Sequence, residues 1–240
     1  CAPLTVNLQA EGNAVQYLWN FGDGATAEGL TASHIYENPG SYTIQLTAID
    51  SSTCNIADIT TVTVEAYINA IAAFTAGTPI AEVGQVVFFT NQSQFADSYQ
   101  WDFGDGGTSQ EVNPQYVFNT VGQYNICLAA LTAQGCNDTV CQPIQVIPVI
   151  YIGVPNAFSP NNDNINDFLQ VEGNNGIEFM ELKIFNRWGE MVYQTTDPQA
   201  RWDGTYKGQP QEMEVYVYTL VANLISGRQE FLKGNITLLR

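Results

Sequence analysis

The 240-residue sequence predicts an all-β protein: two tandem immunoglobulin-like β-sandwiches followed by a third, C-terminal β-sandwich domain. Three observations carry that reading. Apolar and polar residues alternate over short runs, as in "VQYLWNF", where Tyr17, Trp19 and Phe21 share a face, and no segment keeps the period of a helix. The chain repeats itself at a spacing of 82 residues. Beyond residue 150 the composition changes, so the last third is a different kind of object.

That change is clearest in the charges. The formal net charge is −17, from 24 acidic and 7 basic residues. The basic ones are Lys183, Arg187, Arg201, Lys207, Arg228, Lys233 and Arg240, whereas the first 150 positions carry acidic residues from Glu11 to Asp138 and no Lys or Arg. Such a surface repels phosphate backbones, which argues against nucleic acid as a partner. No run of about 18 apolar residues occurs, so no transmembrane segment of its own is expected. The opening "CAPLTVNLQA" lacks the basic and apolar regions of a signal peptide and begins in strand-like sequence, as a fragment or processed form would.

The repeat defines the first two modules. Trp19, Phe21, Gly22, Asp23 and Gly24 fall on Trp101, Phe103, Gly104, Asp105 and Gly106, and "HIYENPGSYTIQL" falls on "YVFNTVGQYNICL". "SYTIQLTAI" alternates with Tyr42, Ile44, Leu46 and Ala48 on one face. Gly40-Ser-Tyr42 and Gly122-Gln-Tyr124 have the form of a tyrosine corner, in which a Tyr at the start of a late strand bonds back to a nearby backbone carbonyl. The expected domains are 1–67, 68–149 and 150–240.

The combination W-[ND]-F-G-D-G followed by [HY]-x-[YF]-x-x-x-G-x-Y-x-I-x-L resembles the PKD domain, over most of residues 1–66 and 70–147. The resemblance implies a core role for the tryptophan and a tight turn for "FGDG". The residues agree with it, since Gly22 and Gly24 permit positive φ and the Asp23 carboxylate can cap neighbouring N–H groups. Acidic sandwich loops also hold Ca²⁺ in some proteins, so Asp23 and Asp105 are kept as candidates. His34, the sole histidine, meets Tyr116 in the second copy, and its expected role is structural.

Five cysteines without paired CxxC spacing, in a chain poor in charge, point to an exported protein with disulfides. Cys127 and Cys141 lie on facing strands of a hairpin and are the first expected pair. Cys1–Cys54 is the second, and Cys136–Cys141 stays open as an alternative.

In the last third, strand-like runs such as "ELKIFNRWGEMVYQ", "EVYVYTLVANL" and "EFLKGNITLLR" are joined by turns at "NRWGE" and "ISGRQ". The final strand runs to Arg240 without a polar tail, the pattern of a terminus used in place. "NAFSPNNDNINDFLQV", "LKIFNRWGEMVYQ", "WDGTYKG", "VYVYTL" and "KGNITLLR" follow, over residues 154–240, the order of the type B C-terminal domain of type IX secretion substrates. This domain, also called gliding-motility-associated, is found in Bacteroidota, and the segment resembles it closely. "GQPQEMEVYVY" departs from the family, which more often has a Pro and Gly there, and a local loop difference is expected. The resemblance implies a signal read in the periplasm by the type IX secretion machinery and by a PorP/SprF-like outer-membrane protein. It also implies export of the passenger, often a large adhesin, to the cell surface.

An edge strand can extend a partner's sheet through main-chain bonds, so the terminal strand is the expected read-out, with Lys233, Gly234, Thr237, Leu238 and Arg240 as candidates. The competing reading packs Ile236 and Leu238 into the sandwich and leaves Lys233 and Arg240 solvated. In "SPNNDNINDF", Asn161, Asp163, Asn166 and Asp167 are spaced like oxygen ligands for Ca²⁺, the one candidate cofactor, yet a turn bonding its own backbone has the same composition. No catalytic residues are expected, since no Ser/His/Asp set, metal triad or phosphate loop occurs. Glycan or Ca²⁺ binding by the PKD modules is the alternative function; for a glycan it needs exposed aromatics, and Trp19 and Trp101 are expected to be buried.

Overall fold

Alternation becomes strand after strand in the computed structural model, which describes residues 1–50 and 56–240. The first strands are β1 (Leu4–Gln9), β2 (Gln16–Asn20), β3 (Thr26–Glu28), β4 (Thr31–Tyr36), β5 (Gly40–Ile49) and β6 (Ala57–Ala66). Next come β7 (Phe74–Ala76), β8 (Ile80–Glu82), β9 (Val86–Asn91), β10 (Ser98–Asp102), β11 (Thr108–Ser109), β12 (Gln115–Val117), β13 (Gly122–Leu131) and β14 (Asn137–Ile147). The last are β15 (Ala157–Phe158), β16 (Ile177–Phe185), β17 (Met191–Thr195), β18 (Thr205–Tyr206), β19 (Gln209–Pro210), β20 (Val215–Leu224) and β21 (Gln229–Leu238). Among the described residues the helical content is one 3₁₀ turn, Asn174–Gly176, and no helix is long and apolar enough to cross a membrane.

The described residues form two units. One holds Cys1–Thr75, Thr90–Pro114 and Ile126–Gln142; the other holds Ala76–Phe89, Gln115–Asn125 and Pro143–Arg240.

In the first unit β1 pairs antiparallel with β4, and β3-β2-β5-β6 form a second sheet. Tyr17 and Trp19 point inward from β2 while Gln16 and Asn20 face solvent, the period-two pattern of the sequence. They pack with Phe21, Tyr36 and Ile44 into one core. The repeat recurs pair by pair: Trp19 stands opposite Leu46, and Trp101 opposite Leu128. Trp19 Nε1 donates to Gly29 O at 3.0 Å and Trp101 Nε1 to Glu111 O at 2.9 Å, again 82 residues apart.

The cysteines of this unit require one correction. Cys127 and Cys141 are bonded across β13 and β14, with Cα atoms 4.1 Å apart. Cys1, however, is bonded to Cys136, not to Cys54, which lies outside the described residues. The cause is where the chain start is held. Ala2 N–H donates to Tyr67 O at 2.8 Å, and Ala72 N–H donates to Asp138 Oδ2 at 2.8 Å. These two bonds tie the chain start and the beginning of β14 to the same short segment, residues 67–72, and the Cys1 and Cys136 Cα atoms stand 5.7 Å apart, inside disulfide reach. The same bond removes Cys136–Cys141.

In the second unit β9 pairs with β12, and β8 runs parallel to β14 from Ile80↔Gln145 to Glu82↔Ile147. The C-terminal residues build a five-stranded sheet, β15-β21-β20-β16-β17, and a small hairpin, β18-β19. Its core gathers Trp202, Phe158, Tyr216, Leu220, Ile236 and Leu238. Tyrosine corners close both units: Tyr42 Oη donates to Asn38 O at 2.9 Å, and Tyr124 Oη to Thr120 O at 3.0 Å. Tyr216 Oη repeats the four-residue reach, donating to Glu212 O at 2.9 Å. Burial, with the Glu214 charge adding to it, pushes the Tyr216 phenol up to about 12, so it stays a donor.

Candidate recognition site

β21 has two unlike edges. On one it pairs with β20 over its full length; on the other β15 covers it only at Thr237 and Leu238. Thr237 N–H donates to Asn156 O at 2.8 Å and Leu239 N–H to Phe158 O at 3.0 Å, whereas Leu238 N–H turns the other way, to Glu214 O. Backbone groups alternate in direction along a strand, so those of Phe231, Lys233 and Asn235 face the side of β15. Among the described residues no strand pairs with them there.

The five candidate side chains divide. Lys233 and Arg240 are exposed. Thr237 is half-buried between Ala157 and Val215. Leu238 is fully buried with Ile236 in the core, which corrects its expected place on a contact surface: it anchors the strand. Gly234 lies opposite Tyr218, and a Cβ there would sit 2.9 Å from the tyrosine ring, so the glycine makes room for packing.

The acidic turns are turned in on themselves. Asp23 Oδ1 accepts from Ala25 N–H at 3.0 Å, and Asp105 Oδ1 from Gly107 N–H at 2.9 Å, while Gly22 and Gly104 carry φ of 81° and 79°. His34 Nε2 lies 2.6 Å from Asp23 Oδ2 and stacks on Phe21, a structural contact. The Ala25 N–H first, and His34 second, hold the Asp23 carboxyl below its ordinary range. In the Asn-rich loop, Asp167 accepts N–H bonds from Asn161, Asn162 and Asn164 at 3.0, 2.7 and 2.8 Å. Asp163 accepts from Ile165 N–H and from Asn161 Nδ2, and Asn166 O accepts from Ser159 N–H. Asn162, Asn164 and Asn166 all have positive φ. This is the self-bonded turn, built by asparagines that tolerate the left-handed region. Trp19 and Trp101 are buried, so neither offers a stacking face to a glycan.

One site escaped sequence reasoning. Glu82 is 3% exposed, at the end of β8. Its Oε1 accepts from Ser226 Oγ at 2.6 Å and from Arg228 Nε at 3.1 Å, and its Oε2 from Ile150 N–H at 3.1 Å. Gln85 joins in, accepting from Glu82 N–H and donating to Ser226 O. Burial alone would push this carboxyl up; the bonds from Ser226, Arg228 and Ile150 outweigh it and hold it below the usual range. A signal existed in the sequence: "ISGRQ" is a basic turn, and Glu82 is the acid of an otherwise apolar strand. Nothing in their spacing pairs them.

With this geometry in view, known proteins supply a frame. Residues 3–64 and 69–147 match the PKD domain, and residues 152–238 match the CHU_C Type IX secretion signal domain. Collagenase ColA of Bacillus cereus is 43% identical over 54 residues, 22% of this chain and 6% of the collagenase. Collagenase ColA of Clostridium perfringens is 35% identical over 66 residues, 28% of this chain and 6% of that protein. The PKD1 domain of the Vibrio cholerae metalloprotease PrtV is similar at 34% identity, over 33% of this chain and 98% of that one, with a TM-score of 0.29. The chain thus spans only about 6% of the length of these collagenases.

Proposed function

This chain belongs to the PKD domain family and carries a CHU_C Type IX secretion signal domain, and from that premise we propose that it is the C-terminal part of a large surface adhesin of a Bacteroidota cell. The signal domain marks it for export to the cell surface or the extracellular space. In our reading the two PKD modules, 1–67 and 68–149, act as a non-enzymatic spacer. The domain at 150–240 is read by the secretion machinery and by a PorP/SprF-like outer-membrane protein.

The open edge of β21 carries this proposal. The strand is anchored through Ile236 and Leu238, yet it leaves the backbone groups of Phe231, Lys233 and Asn235 unpaired by any described strand. A partner strand can add there. Proline at such a position removes an outward N–H without breaking a bond to β20. The full chain, fused behind a fluorescent passenger in a host with type IX secretion, is expected to reach the surface as wild type. Asn235→Pro and Lys233→Pro are expected to be retained while their purified forms melt like wild type. Surface display of folded proline variants at the wild-type level would reject the edge as the signal.

A further inference from the structure

The outward face of the C-terminal sheet carries exposed apolar residues among its polar ones. In β20, Tyr216, Tyr218, Leu220, Ala222 and Leu224 point into the core, and three of the five alternate positions are still apolar, Val215, Val217 and Val221, beside Thr219 and Asn223. Antiparallel sheets with one solvated face place polar residues there; a central strand apolar on both sides is the pattern of a strand covered on both sides. The neighbours extend the patch. Val221 lies between Glu181 and Phe231, and Val217 between Phe185 and Asn235, with Met191 beside Phe185. Phe231 is 60% exposed.

At the end of this face stands the β16–β17 turn, which presents Trp188 at 80% exposure. The turn is built to hold it. Asn186 Oδ1 accepts from Trp188 N–H at 3.0 Å and from Glu190 N–H at 2.9 Å, and Gly189 takes φ of 79°. Arg187 lies over the indole, 5.0 Å from its centroid, and is itself tied to Glu214.

We propose that this outward face, from Trp188 through Val217 and Val221 to Phe231, is a docking surface for a partner protein that presents an apolar surface bearing a carboxylate. The carboxylate follows from the one cation set into the face without compensation. Across Thr219 stand Lys183 and Lys233; Lys183 pairs with Glu181 at 2.7 Å, and Lys233 has no ion pair among the described residues. Buried beneath a partner, that ammonium requires an acid. Trp, Arg, Phe and Met are the residue types that concentrate binding energy in protein interfaces. An anionic lipid surface fits less well, because Glu190 lies in the turn itself, Glu214 is paired with Arg187 beside the indole, and the chain carries −17 overall. A sugar stacked on the indole would compete with Arg187 for the ring.

The proposal rests on the reading of this domain as an export signal but uses the face of the sheet, not its edge. The test uses the full chain behind a fluorescent passenger in a host with type IX secretion. It compares wild type, Val221→Thr/Phe231→Thr, Trp188→Ser, Lys233→Glu and the edge variant Asn235→Pro, each checked for an unchanged melting midpoint after purification. Loss of surface signal by about tenfold or more in the three face variants is expected, the size of a lost hot spot. Normal display of folded face variants while Asn235→Pro is retained would overturn the face and leave the edge. Normal display of all of them would overturn the edge reading as well. A wild-type dimer dissociated by Phe231→Thr, or binding to phosphatidylglycerol vesicles abolished by Trp188→Ser, would replace the partner protein with a second copy or a membrane.

Discussion

Glu82 and Arg228, 146 residues apart in sequence, meet at 3.1 Å where β8 reaches the turn between β20 and β21. The carboxylate is buried and the guanidinium is a third exposed, so the partners are unequal. Removing Glu82 leaves an arginine that water can still reach. Removing Arg228 leaves a buried carboxylate with Ser226 and the Ile150 N–H alone. Arg228→Ala is therefore expected to destabilise the second unit more than Glu82→Gln, each by about 1–3 kcal/mol. Urea unfolding of the single and double variants checks this, and a double-mutant cycle should show coupling on the order of 1 kcal/mol.

The same carboxylate makes stability depend on pH. Glu82 is held below its ordinary value of 4.5, and Asp23 in the first unit below 3.8. A carboxyl with a depressed folded value contributes stability above its unfolded value and loses that contribution as pH falls through the folded one. Unfolding free energy should therefore decline below about pH 4.5 in the second unit. Glu82→Gln should flatten that decline without altering the first unit's, and Asp23→Asn should do the reverse. Thermal melts at a series of acidic pH values separate the two.

The repeated "FGDG" yields a sharper contrast. Gly22 and Gly24 both have positive φ, so alanine is strained at either. Only at Gly22 would the new Cβ meet backbone, 2.6 Å from Thr43 O; at Gly24 nothing lies within 4 Å. Gly24→Ala is expected to cost about 1 kcal/mol and Gly22→Ala about 2–3 kcal/mol. Chemical denaturation of the two variants decides the order.

These residues also mark where sequence reasoning reached and where it stopped. The turn, the tryptophan pockets and the tyrosine corners were legible because each is local, a bond between positions four or ten residues apart that recurs after 82. Leu238 was misplaced on a contact surface because alternation says which residues share a face but not which face is inward. The disulfide of Cys1 and the bonds of Glu82 were out of reach for a different reason. They join distant stretches, 135 and 146 residues apart, and composition carries no information about that distance.

The Cys1 bond is open to direct test. Non-reducing digestion of the exported chain should recover the peptide of Cys1 joined to that of Cys136, and Cys127 joined to Cys141. A Cys1 peptide linked to Cys54 would reject the arrangement. In the chain-entropy account a longer loop restrains the unfolded state more. Replacing Cys1 and Cys136 by Ser should then cost about 4–5 kcal/mol, against about 3 kcal/mol for Cys127 and Cys141.

Trp188 can report on its own surroundings. Trp19, Trp101 and Trp202 are 5%, 0% and 1% exposed, so the chain carries three sheltered indoles and one at 80%. Tryptophan emission should contain a red-shifted component that acrylamide quenches readily and a larger component that it does not. Trp188→Phe should remove the first and leave the second, because Asn186 and Gly189, not the indole, shape the turn. Stability should change by less than about 0.5 kcal/mol, as for a surface substitution away from caps and core. An unchanged quenching profile in Trp188→Phe would mean that this side chain is already covered in solution, and the partner would then have to be sought in the purified chain itself.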